Sequence, residues 1–383
     1  MRTENIGFWV EAEGKEDVIM KVAVLLYQNM RHAPFLRFYE SVFHKVKGID
    51  YDVIYLNRHP ELKEEINESY IPISWIGKDD HNLFSKALTA AFYPIKVKKI
   101  LKKKQYDFIF VLTTMPGVFL ADFLRHNYSG KYLFDIRDYT KEYIKVYFNA
   151  EKRVVQNSAI NVVSSPDYTR FLPKADYYIC HNLNLPTNQN GVEKFEKAPG
   201  KRIVIAYVGN IQYVEYCMKL IRLVEKDDRF EFHFYGPEGG TLELTDYVNR
   251  LQNARISMKG RFKPEEKKKI FESSDIIFNC YGNENDIVRY AISNKYYDAA
   301  YYRRPLMVSP NTTMARLTGK YAYPFNFDKE NSLDSLYEWY YRIEPAAFDN
   351  YCYCVVHQSI EDNSRLEKTI TDILEQNCGR IEK

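Results

Sequence analysis

The sequence lacks several features that would assign its class at once. It has no uninterrupted apolar run near the roughly 18–20 residues that a membrane-spanning helix needs. Its opening stretch, MRTENIGFWVEAEGKEDVIMK, mixes acids with short apolar pairs and has no signal-peptide core. A soluble or peripheral protein is therefore expected. An excess of one charge is missing as well: 54 Lys and Arg stand against 51 Asp and Glu, a net +3 on 383 residues. Nucleic-acid binders carry a strong basic excess, so no nucleic-acid partner is expected. The six cysteines are scattered, with no C-x-x-C and no Cys/His spacing of a zinc site. They read as free thiols in a reducing cytoplasm. G-x-G-x-x-G and P-loop signatures are absent too, which argues against a dinucleotide enzyme or an NTPase.

What is present is a globular composition, 45% apolar and 27% charged, on a chain long enough for two domains. Tyrosine is the outlier with 33 copies. By itself it assigns no function, because tyrosine packs well in strands and on half-buried faces. Short runs rich in β-branched and aromatic residues recur: 21–27, 51–56, 71–76, 106–112, 131–136, 159–164 and 176–180. Helix-like segments such as 35–46 and 116–127 separate them. This is the pattern of buried parallel strands with crossover helices.

Residues 182–202 break the alternation. The stretch is polar, holds two prolines and two glycines, and reads as a linker. The pattern then restarts with runs at 202–209, 230–236, 254–260, 275–282 and 305–309, and the chain closes on helical segments. Two consecutive arrays of this kind predict an α/β protein of two Rossmann-like, doubly wound domains facing a cleft. The expected boundaries are 1–185, a linker over 186–202, a second domain over 203–335, and C-terminal helices over 336–383 packing back on the first domain. In such sheets ligands bind at the carboxyl ends of the strands.

Three strands of the second array end in glycine, in YVGN (207–210), FYGPEGG (234–240) and KGRF (259–262). Glycine there permits a sharp turn and lets a ligand approach the main chain. Gly209, Asn210, Gly236 and Arg261 are therefore candidates for a nucleotide site, with ordinary turn chemistry as the alternative. The run SNKYYDAAYYRRP (293–305) adds a second signal. Ser293 or Asn294 can cap a helix, which puts Lys295 in its first turn. A lysine opposes the helix dipole there, but with the free amides it suits a phosphate. Asp298 follows at i+3, where a carboxylate can accept from sugar hydroxyls. The alternative is a local Lys–Asp surface pair.

These residues carry a resemblance. SNKYYDAAYYRRPLMVS resembles the P-N-K-L-x-E-A-x-A-x-x-x-P-x-x-x-S stretch of GT-B glycosyltransferases of the family 4 type, found in bacterial capsule and exopolysaccharide biosynthesis. KGRF with PEEKKKIFESSDIIF is similar to a further segment of that family. YLFDIRDYTKE, INVVSSPDYTRFLP and YYICHN are similar to three segments of its N-terminal domain. The resemblance covers most of residues 20–335. It implies a metal-independent glycosyltransferase, a hexosyl- or related transferase. The nucleotide-sugar donor would be held by Gly209, Asn210, Gly236, Arg261, Asn294, Lys295 and Asp298. Lys295 would take the pyrophosphate side and Asp298 the ribose. The acceptor would be a glycan or a lipid-linked oligosaccharide. The nucleotide sugar is substrate, and no cofactor or metal is expected, because helix-end amides and Lys295 are assigned the diphosphate charge.

Two departures are plain. Tyr290 stands eight residues before Asp298, where the family has a glutamate, with Glu284 as the nearest stand-in. Asn210 and Glu215 stand where the family has Arg and Lys after the first C-domain glycine. They keep two alternatives open: a nucleotide-sugar epimerase on the same fold, or a non-catalytic subunit that binds a partner glycosyltransferase.

The first array supplies the acceptor-side candidates. Arg31 and His32 follow the first strand, and His32 is a candidate catalytic group. Asp135 and Asp138 follow a buried strand. Asp138 is a candidate general base, or alternatively the N-cap of a helix over YTKEYIKVY. Ser165 and His181 lie after later strands on the same edge, and His181 is equally suited to a hinge before the linker. Residues 93–107 set six lysines among Ile95, Val97, Ile100 and Leu101. That suits the surface of an anionic membrane, or equally a solvated helix face. The expected location is cytoplasmic, with peripheral contact at the inner face of the cell membrane.

Overall fold

The computed structural model describes residues 20–61, 67–74, 83–186, 192–197, 200–239, 242–329 and 332–381. Residues 187–191 and 198–199 of the linker expected over 186–202, and the first 19 residues, lie outside the described residues. Two compact units emerge: residues up to 111 with those from 367 onward, and residues 112–366.

The first unit holds β1 (Met20–Leu26), α1 (Leu36–Phe43), β2 (Ile49–Asn57), β3 (Tyr70–Ser74), α2 (Leu83–Lys104) and most of β4 (Phe108–Leu112). β1 and β4 are buried almost throughout, as strands covered on both faces must be. Their side chains meet Tyr39 and Phe43 of α1, whose rings pack edge-on against Phe110. α2 contains Pro94, and the neighbouring Tyr93 is buried with its hydroxyl donating to the Leu26 carbonyl. The chain holds one D-x-D triplet, Asp50-Tyr51-Asp52. It lies inside β2, where Asp52 accepts from Lys104 and the Tyr106 hydroxyl.

The second unit continues with α3 (Thr114–Asn127), β5 (Tyr132–Ile136), α4 (Lys145–Asn157), β6 (Ile160–Val163) and β7 (Tyr178–Ile179). Within the first unit β1, β2 and β3 pair in parallel in the order β3-β2-β1, and within the second β5, β6 and β7 pair in parallel in that order. The second sheet is built from β8 (Ile203–Val208), α5 (Val214–Val224), β9 (Phe230–Tyr235), α6 (Glu243–Leu251), β10 (Ile256–Gly260) and α7 (Lys267–Glu272). It goes on through β11 (Ile276–Asn279), α8 (Asp286–Tyr290), α9 (Asn294–Tyr301), β12 (Leu306–Val308), α10 (Thr313–Thr318) and β13 (Ala322–Pro324). Its order is β10-β9-β8-β11-β12-β13, with parallel neighbours. β13 extends the sheet by one strand beyond the sequence expectation. α11 (Ser332–Arg342) and α12 (Pro345–Ile381) close the chain.

The second sheet's core explains why the order is stable. Phe230, Phe232 and Phe234 alternate inward along β9, and Phe232 packs against both Phe234 and Phe278 of β11. Each such ring contributes about 1.5–3 kcal/mol by burial. Tyr340 of α11 is buried against this layer and donates to Asp275, whose other oxygen accepts from the Val204 amide at the start of β8.

Candidate functional site

A cavity of about 600 Å³ opens at the carboxyl ends of β8, β11 and β12. Its walls include Gly209, Asn210, Tyr213, Lys267, Asn279, Tyr281, Asn294, Lys295 and Asp298. Four loops build it, and each is fixed by a local device.

The first is the turn after β8. The Gly209 amide donates to the Tyr235 carbonyl, and the Gly236 amide to the Gly260 carbonyl, so the ends of β8, β9 and β10 are stitched together. A Cβ on Gly236 would lie 2.0 Å from the Gly209 carbonyl oxygen, and its φ is +132°. Only glycine fits there. The Tyr207 hydroxyl then donates to the Asn210 carbonyl and accepts from the Gln212 amide, which curls the loop back over the strand.

The second is the turn after β11. Buried Ser309 accepts from the Tyr281 and Gly282 amides and so aims the Tyr281 ring into the cavity. Tyr213 stacks on that ring at 4.9 Å. Asn279, buried in the wall, has an amide oxygen that no described residue satisfies.

The third is the start of α9. Ser293 is the N-cap and accepts from the Lys295 amide. Lys295 and Asp298 are both buried rather than on the surface. The Lys295 ammonium donates to the Tyr281 hydroxyl and sits 4.0 Å from the centre of the Tyr207 ring. Asp298 accepts from Lys267 of α7, the fourth wall, at 2.6 Å. The local Lys295–Asp298 surface pair is thus not what forms. Burial raises the Asp298 pKa, opposed by Lys267 and Lys295.

Two of the donor-side candidates fall outside these walls. Gly236 lies beneath the cavity as part of its backbone scaffold, and Arg261 is exposed beyond it.

The acceptor-side candidates are dispersed. Asp135 is fully buried in β5, its carboxylate bonded to Arg137 at 2.7 Å. Arg137 also donates to the Cys180 carbonyl, and its own carbonyl accepts from Ser164 and Tyr168. The structure thus places Asp135 inside the strand, where one of its oxygens anchors Arg137. Asp138, three residues further on, is exposed yet crowded by protein groups. That crowding raises its pKa to about 6, with Arg137 opposing and Glu142 adding. It is not a helix cap, because α4 starts only at Lys145 with Ile144 as its N-cap. Its charge is felt by Tyr213 in the cavity wall.

Ser165 donates to the main-chain carbonyl of Tyr290, the residue where the resemblance expects a glutamate. His181 is buried, one ring nitrogen on the Tyr297 hydroxyl at 2.7 Å and the other on Asp362 at 3.1 Å. Burial lowers its pKa, against the pull of Asp362. Both residues tie elements together through these bonds. Asn182 bonds Asn294 at the cavity edge. Glu284 accepts from Tyr216 in a separate small hollow. Arg31 and His32, in the first unit, form an exposed 3-10 turn after β1, with the His32 ring on His59.

Sequence reading missed Lys267, Tyr207, Tyr213 and Tyr281. Lys267 is one of three consecutive lysines, and the tyrosines are three among 33, so no local signal separates them.

Comparison with solved structures rests on this architecture. Sucrose-phosphate synthase from Thermosynechococcus elongatus superposes with a TM-score of 0.63 at 12% identity, over 93% of this chain and 98% of that one. The fold is GT-B. Anabaena HepE, solved with UDP, matches with a TM-score of 0.62 at 10% identity, over 92% of this chain and all of that one. A UDP-N-acetylglucosamine 2-epimerase matches with a TM-score of 0.54 at 12% identity, over 87% and 90%. No protein-family profile matches the chain, and no curated protein matches it by sequence. The GT-B neighbours include glycosyltransferases and epimerases alike, at identities that establish the fold alone. Among the described residues no helix is long and apolar enough to cross a membrane.

Proposed function

We propose that this chain is a glycosyltransferase that moves a sugar from a nucleotide-sugar donor to a glycan or lipid-linked acceptor in surface polysaccharide biosynthesis. One observation carries the reading. A buried ammonium, Lys295, and a buried carboxylate, Asp298, face the same cavity at the carboxyl ends of β8, β11 and β12, where GT-B sheets take ligands. A volume of about 600 Å³ suits a nucleotide sugar. Lys295 meets the diphosphate and stabilises the charge that develops as the glycosidic bond to it breaks, without a metal. Asp138, with a pKa near 6, takes the proton of the acceptor hydroxyl.

The UDP complex of a structural neighbour supports a uridine donor as the first to try. The exposed Phe92 and Ile95 beside the lysines of α2 support peripheral contact with an anionic membrane. Replacing Lys102, Lys103 and Lys104 with Glu should lower co-sedimentation with anionic liposomes, and unchanged binding removes that contact.

The deciding experiment is a thermal-shift screen of nucleotide sugars, followed by product analysis with and without acceptor. Transfer to acceptor supports the reading. Conversion of the donor to its epimer without acceptor favours the second reading, an epimerase, which the epimerase neighbour also supports. No stabilisation by any nucleotide leaves the non-catalytic subunit.

A further inference from the structure

Lys267 sits at the start of α7 and lines the same cavity as Lys295. The two cations are held in opposite ways. Lys295 lies among neutral groups, the Tyr281 hydroxyl and the faces of Tyr207 and Tyr281. Among the described residues no carboxylate comes within 4.0 Å of its ammonium. Lys267 instead holds Asp298 at 2.6 Å, with both side chains largely shielded from solvent. The cavity walls therefore carry two ammonium groups and one carboxylate, and one oxygen of that carboxylate is already held by Lys267.

We propose that the Lys267–Asp298 pair is a counter-ion latch on the donor site, an inference that rests on the nucleotide-diphosphate reading above. An incoming diphosphate offers Lys267 a new anionic partner. Lys267 exchanges one charge-assisted bond for another and releases Asp298. The freed carboxylate then accepts from a sugar hydroxyl of the nucleotide. A nucleoside without phosphates has nothing to give Lys267. To reach the Asp298 oxygen that Lys267 holds, it must break a shielded ion pair and leave an ammonium without its partner, which is costly. The latch makes the site demand phosphate before it recognises the sugar of the nucleotide. Lys267 is here a specificity residue, and the exchange breaks no covalent bond.

The test is calorimetric titration of the full chain and its Lys267→Met variant with UDP, GDP and ADP and with the matching nucleosides. For the base that binds, the variant's diphosphate Kd should rise about tenfold or more, the worth of one charge-assisted hydrogen bond. Its nucleoside Kd should fall by about threefold, because Asp298 is open from the start. Lys267→Arg, which keeps the charge, should retain the wild-type preference. Equal weakening of both ligands, or no change in either, overturns the latch while leaving the nucleotide site standing. Loss of the preference in Lys267→Arg also counts against it. Failure of the wild-type chain to bind any of these ligands removes the nucleotide reading and the latch together.

Discussion

The ammonium of Lys295 lies 4.0 Å from the centre of the Tyr207 ring and 4.9 Å from that of Tyr281, whose hydroxyl it also contacts. Ring faces are negative, so this cage holds a buried cation without neutralising it. The charge stays available to an anion that enters the cavity.

Lys295→Ala should accordingly weaken binding of a nucleoside diphosphate by about tenfold or more while leaving the nucleoside unchanged, since only the phosphates meet the ammonium. Isothermal titration with both ligands checks it. An equal loss for the two would mean that Lys295 only props the wall.

Gly236→Ala should lower stability by about 3 kcal/mol and the melting temperature by on the order of 10 °C. Its added Cβ meets the Gly209 carbonyl oxygen, a backbone atom that cannot step aside. Gly260→Ala is the control: its φ is also positive, but nothing lies within 4 Å of its Cβ. Equal melting temperatures for the two variants would contradict the steric account.

Asp138 gives a pH signature. A general base works deprotonated, so kcat/KM for transfer should fall as the pH drops through about 6. Asp138→Asn should lose both the rate and that acidic limb. A variant that keeps a limb near 6 would assign the titration to another group.

Glu151 of α4 gives a second one, in stability. It is fully buried, and neither carboxyl oxygen has a hydrogen-bond partner among the described residues. Burial raises its pKa from 4.5 to about 8, and Glu142 adds to the rise. Below 4.5 both folded and unfolded chains hold the proton. Between 4.5 and about 8 the unfolded chain has lost it and the folded chain keeps it, so stability declines as the pH rises through that window. The decline amounts to a few kcal/mol in order of magnitude. Glu151→Gln should flatten it, as urea midpoints from pH 5 to 8 would reveal. Parallel slopes for wild type and variant would mean that the carboxyl ionises freely.

The strands were legible because parallel strands covered on both faces must be unbroken apolar runs, and those runs stand out between charged helices. α9 was legible because a capping Ser293 before a lysine is a local signal. Lys267 was not, since only the packing of α7 against α9 separates it from Lys268 and Lys269. Asp138 was half legible. Its place after a buried strand could be read, but the late start of α4 at Lys145 depends on Glu142 turning inward to accept from Thr140. Asp135 and His181 could be placed on their strand edge from sequence, but their partners could not: position along a strand does not report that one Asp135 oxygen holds Arg137 or that the His181 ring lies between Tyr297 and Asp362.

The Ser165 bond to residue 290 goes to the main chain, not to the tyrosine side chain. A carbonyl is common to all twenty amino acids, so this tie places no demand on which one occupies the position. The second tie nearby is different: Asp167 grips Arg316 and Thr313 through their side chains and tolerates no such exchange. Position 290 can therefore change residue with the Ser165 bond intact, and what the tyrosine side chain itself adds to the fold is its ring against Phe171.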